Sequence, residues 1–230
     1  MPDAPKFDAL APILSPAADA AVISALDLAA LLCSRVCHDV ISPVGAVVNG
    51  IEVLEDEGAA DMREVALDLI AKSSRQASAR LQFTRLAFGA AGSAGAQLDL
   101  GDAEQVVRGM IEDDRTKIDW RLPREFQAKN KVKLLLNLVL ISTTTIPRGG
   151  VIAVSALGSG ETMGFELAAR GTSARIPAGV EALIAGAAPA GGLDAHVVQP
   201  FYAGLLARAC GVAVSFAQDG DLVTLTARLA

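Results

Sequence analysis

The sequence predicts a long two-helix hairpin followed by an α/β sandwich. Three observations carry that reading. A helical apolar period runs from about Asp19 to Glu57 and again from about Ala60 to Phe88. Gly89-Ala90-Ala91-Gly92-Ser93-Ala94-Gly95 then forms a linker of small residues. Beyond it the texture changes to short strands alternating with helices.

Taken in order, residues 1–17 hold four prolines and no sustained period, and read as a flexible N-terminal arm. Residues 18–89 form the hairpin. Its first helix is interrupted only by Pro43, and the short link around Asp56-Glu57-Gly58 makes the two helices antiparallel neighbours. Residues 96–230 form the sandwich: helix 102–114, strand 116–121, helix 130–145, strands 150–156 and 162–169, helices near 178–187 and 198–210, and strands 212–217 and 222–229. The Ala- and Gly-rich stretch 185–192 reads as a mobile loop.

Composition narrows the function classes. Hydrophobic residues make up 52% and mean hydropathy is +0.41, yet no run of uncharged apolar residues reaches the ~18 that a membrane span needs. The opening residues lack a basic segment followed by an apolar one, so no secretion signal is predicted. Three cysteines, at 33, 37 and 210, are too few and too odd in number for a disulfide framework; they read as core packing in a reducing, cytoplasmic compartment. A formal charge of −6 and 4% aromatics argue against nucleic acid as partner, because that binding calls for a basic footprint or stacking platforms. Protein partners and no membrane are expected.

One helical stripe of the first helix reads His38, Ser42, Gly45, Asn49, Glu52, and another reads Val36, Val40, Val44, Val47, Ile51, Leu54. His38 therefore faces outward. Cys37, Ile41 and Val48 widen the apolar face beyond what one partner helix covers, which predicts a second copy and a homodimeric four-helix bundle. An exposed imidazole, with a reference pKa of about 6.5, has a neutral form near pH 7 whose free ring nitrogen accepts a phosphoryl group. Asp39 is placed to hold the proton on the other nitrogen and so orient the ring. Pro43 lacks an N–H, leaves the Asp39 carbonyl without its helical partner, and is expected to kink the helix beside the histidine. Two other readings stand beside this one: a solvent-facing histidine without a role, and a metal site built from Cys33, Cys37 and His38. The second lacks a further ligand pair with zinc spacing, and Cys37 is expected to point inward.

Two further motifs sharpen the choice. His38-Asp39-Val40-Ile41-Ser42-Pro43 resembles the H-box of sensor histidine kinases. Leu134-Leu135-Leu136-Asn137-Leu138-Val139-Leu140-Ile141-Ser142, with Pro147-Arg148-Gly149-Gly150-Val151-Ile152 after it, resembles their N-box helix and the following strand. There the likeness departs from the pattern. Ile141 falls where those kinases carry a magnesium-reaching asparagine, and Ala169 falls where an aspartate reads adenine. Residues 199–206, Gln-Pro-Phe-Tyr-Ala-Gly-Leu-Leu, have too few glycines for a phosphate-closing box.

Taken together, these features resemble the ChpT family of alphaproteobacterial histidine phosphotransferases over residues 25–229, with Arg80-Leu81-Gln82-Phe83-Thr84-Arg85-Leu86-Ala87-Phe88-Gly89 and residues 199–208 as further characteristic stretches. The resemblance implies a DHp-like dimeric hairpin joined to a degenerate Bergerat (GHKL-like) sandwich without an ATP site, binding neither metal nor cofactor. It implies that His38 takes a phosphoryl group from the receiver aspartate of a CckA-type hybrid histidine kinase. The group then passes to CtrA- and CpdR-type response regulators in cell-cycle control, with Mg2+ supplied by the receiver. Receivers are expected to dock on Ser42, Gly45, Asn49 and Glu52. Arg80 and Arg85, on the last turns of the second helix, are candidates for neutralising phosphate charge, the alternative for both being ordinary solvated or ion-paired side chains. His196 follows the predicted loop with no acidic or nucleophilic partner in view and is assigned no role. Two rival functions remain: a non-catalytic scaffold that binds kinases or receivers, and a divergent active histidine kinase.

Overall fold

The computed structural model describes residues 23–89, 96–187, 189 and 191–230. The predicted arm and the start of the first predicted helix, up to residue 22, lie outside them, as do 90–95 of the linker and 188 and 190 of the loop.

The hairpin consists of α1 (Ala25–Glu55) and α2 (Arg63–Ala87), joined by a 3₁₀ segment, Glu57–Met62. Ser24 caps α1, its hydroxyl accepting from the Asp27 amide at 3.1 Å. The helices cross closely at Gly50, where a Cβ would come within 2.6 Å of the Ile70 side chain. Helix α1 runs unbroken through Pro43, so the expected interruption there does not occur. The Asp39 carbonyl that proline leaves without its helical partner accepts instead from the Arg80 guanidinium of α2.

Two expectations about this helix are corrected. Cys33 and Cys37 are exposed rather than core residues, and Cys37 does not point inward. They lie on a stripe with Ile41, Val44, Val48 and Ile51, which are 70%, 46%, 48% and 44% exposed, because α2 covers only the other side of α1. Helix α1 is nevertheless long and apolar enough to cross a membrane by length and composition alone, with a mean hydropathy of 1.4 over its most apolar window, although no uncharged run within it reaches the length a span needs. Asp27, Arg35, Asp39, Glu52 and Glu55 interrupt it.

The rest of the chain runs β1 (Gln97–Asp99), α3 (Leu100–Ile111), β2 (Thr116–Trp120), β3 (Phe126–Ala128), α4 (Lys129–Thr145), β4 (Gly150–Leu157), β5 (Gly164–Arg170), α5 (Val180–Ala185), α6 (Val198–Ala209), β6 (Val212–Asp219) and β7 (Leu222–Leu229). Five strands form a mixed sheet in the order β2-β4-β5-β7-β6, parallel only between β2 and β4. The short β1–β3 ribbon, antiparallel and three residues per strand, was not predicted, since so few residues carry no readable alternation.

Helices cover one face of the sheet. Strand β7 shows why: Val223, Leu225 and Ala227 are fully buried while the residues between them are half-exposed. Helix α4 is buried nearly all round, polar residues such as Asn137 and Ser142 included, because it packs on the sheet below and touches α2, α3 and α6. Phe83 and Ala87, from the last turns of α2, are fully buried in the same core, so the end of the hairpin is seated in the sandwich.

Candidate functional site

His38 projects from the middle of α1, its side chain 62% exposed. Ser42, Asn49 and Glu52 share that outward face, and a Cβ at Gly45 would meet nothing within 4 Å, so the polar stripe lies open as its spacing predicts.

The histidine is held on one side. Its Nδ1 lies 3.5 Å from Oδ1 of Asp39, longer than an ordinary hydrogen bond but close enough for an electrostatic preference. The opposite nitrogen, Nε2, is thereby turned away from the carboxylate. Asp39 is itself fixed, since its Oδ2 accepts from Nε of Arg35 at 2.9 Å, one helical turn earlier, and its side chain is only 17% exposed. Arg80 meets the same residue from below, through the backbone carbonyl. This gives Arg80 a structural partner that does not depend on phosphate. Arg85 is exposed, five residues further along α2.

His196 is the main correction to the sequence reading. Its ring lies edge-on to that of His38, with centroids 5.2 Å apart and planes at 79°. An acidic partner is present too: Oδ1 of Asp194 accepts the amides of His196 and Val197 at 2.8 and 3.0 Å, forming the turn that leads into α6. Those two amides hold the Asp194 carboxyl below the usual carboxylate range. Arg35 spans the gap, its Nη1 donating to the His196 carbonyl at 3.4 Å. Arg35 was missed because its relation to Asp39 reads as an ordinary i,i+4 pair. His196 was missed because it lies 158 positions from His38, and its contact depends on how α6 packs against α1. The one clue in the sequence was that the chain has two histidines in all.

The three kinase-like nucleotide positions have a different fate. Ile141 is 1% exposed and Ala169 is fully buried, both inside the hydrophobic core. Neither offers an oxygen to a magnesium ion or an adenine, so these residues do not fit metal-bound ATP. Asn137 is fully buried, and its Nδ2 donates to the carbonyls of Lys133 at 2.8 Å and Ala87 at 3.3 Å. Gln199 of α6 donates in turn to the Asn137 carbonyl at 2.9 Å and to its Oδ1 at 3.1 Å. This buried set ties the end of the hairpin, the core helix and α6 together. Phe88 and Tyr202 add a tilted ring contact at 5.8 Å across the same junction, and burial pushes the Tyr202 hydroxyl pKa up. Gly204 permits a separate close approach, of α6 to α5, since a Cβ there would fall 2.0 Å from the Ile184 carbonyl oxygen. Among the described residues, no group of three or more His, Cys, Asp and Glu side chains is placed to hold a metal ion.

Comparison with known proteins places this geometry. Residues 100–222 match the family model of the histidine phosphotransferase C-terminal domain. The chain is 50% identical over 205 residues to the protein phosphotransferase ChpT of Brucella abortus (strain 2308), covering 89% of this chain and 97% of that protein. It is also similar to a solved bacterial phosphotransferase, with a TM-score of 0.84 and 45% identity over 92% of this chain and 100% of that one. The histidine kinase domain of a blue-light activated kinase from Erythrobacter litoralis EL346 shares 13% identity over 82% of this chain and 93% of that chain, with a TM-score of 0.45.

Proposed function

The chain belongs to the ChpT family of histidine phosphotransferases, and on that premise we propose that His38 is the residue that carries the phosphoryl group in a bacterial phosphorelay. The carrying observation is the exposed imidazole whose Nδ1 faces Asp39 while Nε2 is turned away from it. In the first step the Nε2 lone pair attacks the phosphorus of a receiver's phosphoaspartate. An N–P bond forms, the acyl P–O bond breaks, and the aspartate leaves as carboxylate. Nδ1 keeps its proton, so the ring gains positive charge beside the Asp39 carboxylate, which offsets it. In the second step the aspartate of another receiver attacks phosphorus and the neutral imidazole leaves. Such a transfer depends on alignment and charge complementarity more than on covalent help, which suits a site with a single nucleophile. The magnesium ion belongs to the receiver, and no residue here is assigned to it.

The donor in this reading is the receiver domain of a CckA-type hybrid kinase, and the acceptors are CtrA- and CpdR-type regulators, in cell-cycle control in the cytoplasm. Receivers dock along Ser42, Gly45, Asn49 and Glu52, the open face below His38. Two copies pair through the Cys33, Cys37, Ile41, Val44, Val48 and Ile51 stripe, whose exposure in one chain supports a four-helix bundle. With Ile141 and Ala169 in the core, ATP is not a donor.

The test is transfer of radiolabel from a phosphorylated hybrid-kinase receiver to the purified protein. Label that is stable to base and lost in acid is expected on wild type and absent from His38→Gln. A His38→Gln variant that takes label at the wild-type rate contradicts the assignment, and a wild type that takes none points to a scaffold.

A further inference from the structure

We propose that His196 is a positioning residue for the phospho-accepting imidazole, so that the sandwich, beyond any contact with partners, sets the geometry of the nucleophile. The inference rests on the reading of His38 as the acceptor.

An exposed histidine on a helix turns freely about the bond to its ring, because that torsion is broad rather than locked in narrow wells. In-line transfer penalises this freedom, since the attacking nitrogen must lie on the axis of the breaking bond. Asp39 restrains the Nδ1 side but at 3.5 Å does not fix the plane of the ring. His196 supplies the missing restraint. A centroid distance of 5.2 Å and an interplanar angle of 79° fall within the edge-to-face geometry that aromatic rings favour.

The position of His196 is itself determined by bonds on both sides. Before it, Asp194 accepts its amide and that of Val197. After it, Gln199 is anchored to Asn137, which reaches the Ala87 carbonyl at the foot of the hairpin. Across the gap, Arg35 joins the His196 carbonyl to the Asp39 carboxylate. The charged groups that these bonds link to the pair are Arg35 and Asp39 on α1, the Arg80 side chain reaching Asp39 from α2, and Asp194 ahead of α6. A chain of named bonds therefore connects the retained buried asparagine of α4 to the orientation of His38.

The contact needs a ring edge and no particular nitrogen, which makes the proposal separable from acid–base or phosphate-binding roles. Single-turnover transfer is measured from the radiolabelled receiver domain of a hybrid kinase, at saturating receiver, to wild type, His196→Ala and His196→Phe, so that docking affinity drops out. His196→Ala is expected to slow transfer roughly five- to ten-fold, and His196→Phe to recover to within about twofold of wild type. In parallel, the ring resonances of wild type, which come from two histidines only, should show cross-relaxation between the His38 and His196 rings. Equal rates for His196→Ala and wild type overturn the inference. So do equally slow alanine and phenylalanine variants, or the absence of ring-to-ring cross-relaxation. Wild type that takes no label defeats the reading of His38 itself, and this inference with it.

Discussion

His38 and Asn137 stand on two helices of opposite character, and both look like parts of kinase motifs in the sequence. The His38 side chain is 62% exposed on a helix with one covered face, while Asn137 is fully buried on a helix packed on every side. At His38, Asp39 faces one ring nitrogen at 3.5 Å and the other is turned away from it. At Asn137, the Lys133 and Ala87 carbonyls take both protons of the amide nitrogen, Gln199 donates to the oxygen, and the side chain is fully buried. A polar residue in a motif does chemistry only when atoms remain after the fold has satisfied its own needs. The same chain thus leaves one motif residue open at its surface and uses the other as a buried joint.

That contrast can be broken most sharply at Asn137. Asn137→Ala removes the donor to Ala87 and the acceptor for Gln199, leaving buried polar groups unpaired, and is expected to cost about 2–3 kcal/mol in urea unfolding. If Asn137 were instead a ligand position without a structural role, the unfolding midpoint would not move.

Arg80 sharpens the comparison from the hairpin side. Because it bonds the Asp39 carbonyl freed by Pro43, Arg80→Met should lower stability by about 1–2 kcal/mol with no phosphoryl group present. A side chain acting purely as a cation for phosphate would leave unfolding unchanged and alter only transfer.

The smallest effect is expected at Asp194. Its folded pKa is depressed by the Val197 and His196 amides. Its contribution is therefore present above the unfolded carboxylate pKa, about 3.9, and is lost as pH falls through the lower folded value. The thermal midpoint of Asp194→Asn should lie slightly below wild type near neutral pH, and the gap should close in acid. A gap that persists or widens in acid would contradict the turn's dependence on the carboxylate.

Much of the fold was legible in the sequence because its signals are local. The helical period marks α1 and α2, and the alternation in 222–229 marks β7 at the residues where it forms. The outward stripe from His38 to Glu52 was readable for the same reason, since five positions at helical spacing state their own face. Other features depend on tertiary packing. Nothing near Arg80 reveals that it will complete the backbone at Asp39, and nothing near His196 reveals a ring 158 positions away. The inward placement expected for Cys37 failed because period alone identifies an apolar face without saying which neighbour covers it. Ile141 and Ala169 were recognised as departures from a nucleotide pattern, but only the structure places them in the core.

The most direct test of the account offers wild type two labelled donors side by side, a receiver bearing phosphoaspartate and magnesium ATP without any kinase, and compares the acid-labile label each leaves on the protein. The account predicts label from the receiver alone. Label from ATP alone would contradict it, because the filled core around Ile141 and Ala169 would then still accommodate a nucleotide.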